Sequence, residues 1–302
     1  MTTTPPILGL LLDVDGPIAS PISRTMKIPS IATDLAFLAN AGVPIIFNTG
    51  RSDAFIRNQI VPPLLAAGLH SHARVHAVCE KGASWFTITP AGAGEVHIDV
   101  GLATPPAYSA AVRDLVAGAY SDIAFFDETK HAMVSVEQRT DVDNATYLAR
   151  QRAFDTEAIA LLTDLGFGVR RNDEEFPDVR GEIQFRCDPT IISTDIESVA
   201  LGKDLGARRA LELLAGSGPL PEEWRTVGDS RTDYAMADWL FEQGHAVSHV
   251  DVRPNDGIPR TPYAVLTAGD LIHDDAGAAY LARWVEMVRG DRHDEIGVGQ
   301  GR

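Results

Sequence analysis

Residues 7–12 read ILGLLL, an apolar run that stops abruptly at Asp13. A run this short with no polar alternation predicts a strand covered on both faces. Helical spacing of apolar positions follows over 30–40 and ends at Gly42. A second buried strand is predicted over 43–47, running into the tetrapeptide NTGR. A helix over 52–67 comes next, with Pro62-Pro63 expected to bend or interrupt it. A third buried strand covers 75–79. Strands alternating with helices at this pitch predict a parallel α/β sheet.

The pattern then changes. Positions 83–89 and 95–100 resemble paired strands around a Gly/Pro-rich turn, 106–120 is helical, and 133–138 alternates like a half-exposed strand. A long helix is predicted over 144–165, with Asp143 or Asn144 as its cap. Two more strands are expected at 166–171 and 182–187. The α/β rhythm returns with a helix at 202–215 and a strand at 224–227 that runs into GDSRTD. A helix at 234–243, strands at 246–250 and 264–266, and a helix at 268–289 complete it. The expected fold class is α/β: a Rossmann-like parallel sheet core, residues 1–80 and 193–290, interrupted by an inserted α+β domain at 81–192. A flexible tail is expected at 291–302.

Composition narrows the function. The chain has 302 residues, 45% hydrophobic and 23% charged, with a formal net charge of -16. That charge repels polyanions, so neither a nucleic acid nor an anionic membrane is an expected partner. A local basic pocket for a small anion remains open. Two cysteines, Cys79 and Cys187, make no disulfide framework and no metal cluster. The N-terminal stretch lacks a basic region before its apolar run, and no stretch is long enough to span a bilayer. A soluble cytoplasmic protein, monomer or homodimer, is the expectation.

The chemistry sits where strands end. Asp13 and Asp15 follow the first strand, Thr49 the second, and Asp229 and Asp233 a later one; Lys203 opens a helix. Ligands of open α/β sheets bind outside the carboxyl ends of the strands, so these positions are expected to meet in one crevice. Carboxylates gathered there repel unless a divalent cation neutralises them, and oxygen donors without His or Cys favour Mg²⁺. A lysine at a helix N-terminus suits phosphate, and a threonine hydroxyl with nearby backbone N–H groups, Gly50 among them, completes an anion cradle. His70, His72 and His76 lack a partnering acidic cluster, so HSHARVH is not expected to bind metal.

The segments DVDG, NTGR, GK at 202–203 and GDSRTD resemble, in order and spacing, the four motifs of the haloacid dehalogenase (HAD) superfamily of phosphohydrolases. The resemblance implies that Asp13 is the nucleophile forming an aspartyl phosphate and that Asp15 is the general acid/base. It implies that Thr49 and Lys203 bind the phosphoryl oxygens. It further implies a Mg²⁺ held by Asp13, the backbone carbonyl of Asp15 and Asp229, with Asp233 in support. Pro17 departs from the pattern, which has Thr there. The stretch from Asp13 to Thr49 leaves room only for a flap and one helix, so the insertion falls where the superfamily's C2-type cap lies. CEKGA at 79–83 resembles the opening of such caps in Cof-like hydrolases. The order of elements is similar to caps of phosphomannomutase and of the sucrose- and trehalose-phosphate phosphatases. The implied activity is hydrolysis of a small phosphorylated metabolite, a sugar phosphate, with a phosphomutase or a non-catalytic binding protein on the same fold as alternatives. Candidates for substrate specificity are Arg51, Glu80, Lys81, Gln184 and Arg186.

Overall fold

A computed structural model describes residues 4–290. The expected tail at 291–302 lies outside the described residues. The chain forms two compact units, Met1–His97 with Gly202–Arg302, and Ile98–Leu201.

In the first unit the strand Leu8–Leu12 is buried along its whole length. It pairs in parallel with Ile45–Asn48 on one side and Glu223–Gly228 on the other. The sheet continues outward through Val75–Cys79 on one side and through Ala246–Asp251 and Ala264–Leu266 on the other, all parallel. Ser84–Thr89 then pairs antiparallel with Val75–Cys79. Alternation in LGLLL serves two cores. Leu10 and Leu12 pack with Ile31, Leu35, Leu281 and Trp284 of the helices Pro29–Asn40 and His273–Arg289. Leu11 packs on the opposite face with Ala207, Ala210, Met236 and Leu240 of the helices Lys203–Ala215 and Tyr234–Glu242. Each leucine taken fully out of water here contributes roughly 1.5–3 kcal/mol. Gly9 interrupts the leucines because a Cβ there would lie 2.5 Å from Pro221 Cγ.

The helical stretch after Thr49 is continuous but not uniform. An α-turn at Asp53–Phe55 widens into a π-turn at Ile56–Ile60 before α-helix resumes at Val61–Ala66. The wider turn lies just ahead of Pro62 and Pro63, which cannot donate to the helical ladder.

The second unit carries a six-stranded mixed sheet in the order Glu174–Phe176, Val169–Arg171, Phe185–Pro189, Ser193–Ser198, Val134–Gln138, Ala124–Phe126. Tyr108, Val112, Phe154, Ala158 and Leu162 of the helices Pro106–Leu115 and Asn144–Asp164 share its core with Val134, Val169 and Phe185. The long helix begins as expected, with Asp143 accepting from the backbone N–H of Thr146. Asp155 on that helix is fully buried and accepts from Arg171 and from Thr194 Oγ1, both at 2.7 Å.

Three expectations need correction. Ser193–Ser198, placed outside the insertion by sequence, is a central strand of the second unit's sheet, so the division falls at 201/202 rather than at 192. On the other side Ser84–Thr89 extends the first unit's sheet, which moves the entry into the second unit from 81 to 98. The last helix starts at His273, because Ile272 before it is extended, with φ -130° and ψ 164°. Among the described residues, no helix is long and apolar enough to cross a membrane.

Candidate active site

The order of strands reverses beside Leu8–Leu12, the kind of switch point where α/β sheets open a crevice. Its three neighbouring carboxyl ends deliver Asp13, Thr49 and Asp229. The Asp13 N–H donates to the Val227 carbonyl at 2.8 Å, the last rung before the chain turns away. Gly16, with φ 94°, makes that turn, and a Cβ on it would lie 2.8 Å from the Asp229 carboxylate. Only glycine fits both demands. Pro17, the departure from the motif, lies against the last helix: a Cβ on Gly277 would stand 1.9 Å from its carbonyl oxygen.

Lys203 is the hub. Its ammonium donates to Asp13 Oδ1 at 2.6 Å and to the Asn48 carbonyl at 2.8 Å, and lies 2.7 Å from Asp233 Oδ1. Burial opposes its charge, but Asp13 and Asp233 outweigh burial and raise its pKa. Asn48 returns the contact by donating Nδ2 to the Lys203 carbonyl at 2.9 Å. It fits because position 206 is glycine, where a Cβ would stand 2.0 Å from Asn48 Oδ1.

Burial, then the charge of Asp233, pushes the Asp13 carboxyl well above the usual range, with Lys203 opposing. For Asp233 the balance reverses: burial raises it, but the Lys203 ammonium holds it low. Asp233 Oδ2 also accepts from the Ser230 N–H at 3.0 Å and Ser230 Oγ at 2.7 Å. The residue thus closes a capping box with Ser230 over the turn Arg231–Asp233 and faces the lysine with its other oxygen.

Asp229 is raised to about 6, by burial first and then by Asp233. Arg253 Nη1 and His273 Nδ1 each lie 3.8 Å from its Oδ2. Oxygen atoms of Asp13, Asp229 and Asp233 all fall within 4.8 Å of one another. Three hard oxygen donors at that spacing, in a pocket already strained by like charge, fit a divalent cation. The Asp15 carboxylate, by contrast, turns to Arg51, which donates Nε and Nη2 to its two oxygens at 2.8 and 2.9 Å.

Thr49 is buried and its Oγ1 accepts from the Arg51 N–H at 3.1 Å. The loop after Cys79 folds over this turn. Glu80 N–H donates to the Arg51 carbonyl and Lys81 N–H to the Thr49 carbonyl, both at 3.0 Å. Glu80 and Lys81 hold left-handed φ values of 48° and 55°, a strained pair kept by those bonds. The Lys81 side chain passes Gly50, its Cε 3.6 Å from where a Cβ would be. Glu80 is fully buried and accepts from Ser84 Oγ at 3.3 Å.

Asp13, Asp15, Thr49, Gly50, Arg51, Glu80, Lys81, Lys203, Asp229 and Asp233 therefore lie in the first unit. Gln184 and Arg186 lie in the second, each with partners of its own. Gln184 accepts from the Gly168 N–H and donates to Asp178, beside a cavity of about 410 Å³. Arg186 pairs with buried Glu197 and donates to the Leu201 carbonyl. Sequence reasoning missed Asn48, Arg253 and His273. Asn48 was legible as the residue that precedes Thr49 at the strand end; the other two carry no local signal.

No protein-family model matches the chain, and its sequence matches no curated protein. Solved structures are similar to it. The C-terminal domain of C. albicans trehalose-6-phosphate phosphatase aligns at TM-score 0.58 and 12% identity, over 95% of this chain and 93% of that one. Aspergillus fumigatus trehalose-6-phosphate phosphatase aligns at 0.51 and 13%, over 94% and 92%. Plasmodium falciparum IMP-nucleotidase aligns at 0.50 and 10%, over 98% of this chain and 66% of its own. The chain shares its fold with these three proteins, the α/β core with an inserted unit that the resemblance of its four motifs implies.

Proposed function

We propose that the protein is a Mg²⁺-dependent phosphomonoester hydrolase acting on a small phosphorylated metabolite, a sugar phosphate, through a phosphorylated Asp13. The observation that carries this reading is the buried Asp13–Lys203–Asp233 chain beside Asp229, at the switch point of the sheet. Asp13 is backed by strand pairing, so its carboxylate is held rather than searching for position. Lys203 neutralises the incoming phosphoryl group and shields Asp13 from Asp233. Thr49 Oγ1 and the Gly50 N–H orient the phosphoryl oxygens. Asp15 protonates the departing alcohol and then takes a proton from the attacking water. A divalent cation held by Asp13, the Asp15 carbonyl, Asp229 and Asp233 supplies neutralising charge to the phosphoryl oxygens. The sugar-phosphate reading draws support from the similarity to the two trehalose-6-phosphate phosphatases, which share the fold at low identity.

The test is a panel of sugar phosphates, nucleotides and other phosphomonoesters, assayed for free phosphate with Mg²⁺ and with chelator. Metal-dependent release that Asp13→Asn abolishes, with the variant still folded by circular dichroism, is the expected result. Equal turnover by wild type and Asp13→Asn removes the reading. An isomeric sugar phosphate without free phosphate makes the protein a phosphomutase instead.

A further inference from the structure

Arg51 is built for one position. Its N–H donates to Thr49 Oγ1 and its carbonyl accepts from Glu80, so the backbone is pinned on both sides. Its guanidinium lies over the Phe55 ring, 4.8 Å from the centroid. The fork it presents meets Asp15 edge to edge, both carboxylate oxygens taken at 2.8 and 2.9 Å. Asp15 is fixed from its own side as well. Gly16 N–H donates to the Ala19 carbonyl, and the N–H groups of Ile18 and Ala19 both donate to the Val14 carbonyl. The turn that carries Asp15 is thus closed on itself, and Arg51 is the group that sets where the carboxylate points.

A guanidinium fork that takes both carboxylate oxygens fixes the direction of the carboxylate as well as its place. We infer that Arg51 is a positioning residue that aims the Asp15 carboxylate for the second half of the reaction. The inference rests on the phosphatase reading given above. In that second half a water oxygen bonds to phosphorus. The bond between phosphorus and the Asp13 oxygen breaks, its electron pair returning to the Asp13 carboxylate. Asp15 takes the water proton, and inorganic phosphate leaves. The first half asks the opposite of Asp15, a proton for the departing alkoxide. When the leaving group needs no proton, displacing the Asp15 carboxylate therefore slows only the hydrolysis of the phosphorylated enzyme.

The two halves separate with p-nitrophenyl phosphate, whose leaving group departs without a proton. In quench-flow experiments with Mg²⁺, nitrophenolate release reports phosphorylation of Asp13. Decay of the phosphorylated protein after a chase, followed by intact mass, reports its hydrolysis. Arg51→Met keeps a side chain over Phe55 and removes the fork. It is expected to leave phosphorylation within a few-fold of wild type and to slow decay roughly 10- to 100-fold, the scale of a displaced catalytic group. Arg51→Lys keeps the charge without the two-pronged grip and is expected to fall between. Asp15→Asn is expected to slow decay too, and adding Arg51→Met to it is expected to change nothing further.

If Arg51→Met and Arg51→Lys slow both steps alike, or raise KM with both rates intact, Arg51 serves the fold or the substrate and the inference is overturned. Additive losses in the double variant overturn it as well. Wild-type protein that forms no phosphorylated species and releases no phosphate from any substrate overturns the phosphatase reading itself, a different result from any of these.

Discussion

Lys203 holds two buried carboxylates apart, and Lys203→Met asks how much of the fold depends on that. The ammonium meets Asp13 at 2.6 Å, Asp233 at 2.7 Å and the Asn48 carbonyl at 2.8 Å, with only 9% of its side chain exposed. Removing one partner of a buried ionic group while leaving the others costs about 3–5 kcal/mol. That is a large share of a typical folding free energy of roughly 5–15 kcal/mol. Urea unfolding followed by tryptophan fluorescence suits the measurement, because Trp85, Trp224, Trp239 and Trp284 all belong to the first unit. In metal-free buffer at neutral pH the variant is expected to lose about 3–5 kcal/mol. Two further signs belong to the same reasoning. Without the lysine, burial and Asp233 raise the folded-state pKa of Asp13 unopposed. Folded protein then binds a proton that unfolded protein does not, so the deficit shrinks as pH falls toward the ordinary carboxylate range. Mg²⁺ at about a hundred times its dissociation constant adds back roughly 2.7 kcal/mol. A loss below about 1 kcal/mol, the value of an exposed ion pair, refutes the claim that Lys203 offsets buried charge.

Gly206→Ala places a methyl group 2.0 Å from Asn48 Oδ1, so Asn48 must leave its contact with Lys203. A loss of about 1–3 kcal/mol in urea titration is expected, and a neutral result places Asn48 elsewhere. Gly277→Ala meets the Pro17 carbonyl at 1.9 Å; a loss of about 1–3 kcal/mol is expected, and an unaltered melting temperature means the Pro17 turn does not sit against that helix. His249 is fully buried, bonded through Nδ1 to Thr226 Oγ1 at 2.8 Å, and burial pushes its pKa down to about 4. The neutral ring is favoured in the fold, so its contribution is complete above about pH 6.5 and is lost as pH falls toward about 4. Wild type is expected to lose more stability than His249→Gln across that interval, and parallel pH profiles count against it.

Much of this site is written in strand ends. ILGLLL stops at Asp13 because a strand covered on both faces tolerates charge only where it leaves the sheet, and the same logic marks Thr49 and Asp229. Chain order along the sheet then brings them together. Ser193–Ser198 was illegible for the opposite reason. Its sequence STDIES looks like loop, yet Thr194, Ile196 and Glu197 are all buried. The burial of Glu197 depends on Arg186, eleven positions away, and no local pattern announces such a partner. Arg51 is a similar case. Its carboxylate partner lies 36 positions back, at the end of a neighbouring strand, not in its own helix. Arg253 reaches Asp229 from a loop and His273 from the first residue of the last helix, and no local pattern announces either partner.

The insertion also sets the order in which the protein can be finished. Asp13 and Lys203 are separated by 190 positions, and Leu8–Leu12 pairs with Glu223–Gly228 only after Ile98–Leu201 has been made. At translation rates of roughly 5–20 residues per second, the nascent chain waits on the order of ten seconds with one edge of LGLLL unpaired. The second unit has its own core and can fold during that wait. Its folding shortens the loop that must close, and loop closure costs about 0.6 kcal/mol for each doubling of length. The exposed edge of an aggregation-prone strand is thus the debt incurred by placing the insertion between Thr49 and Lys203 in sequence rather than at either end of the chain.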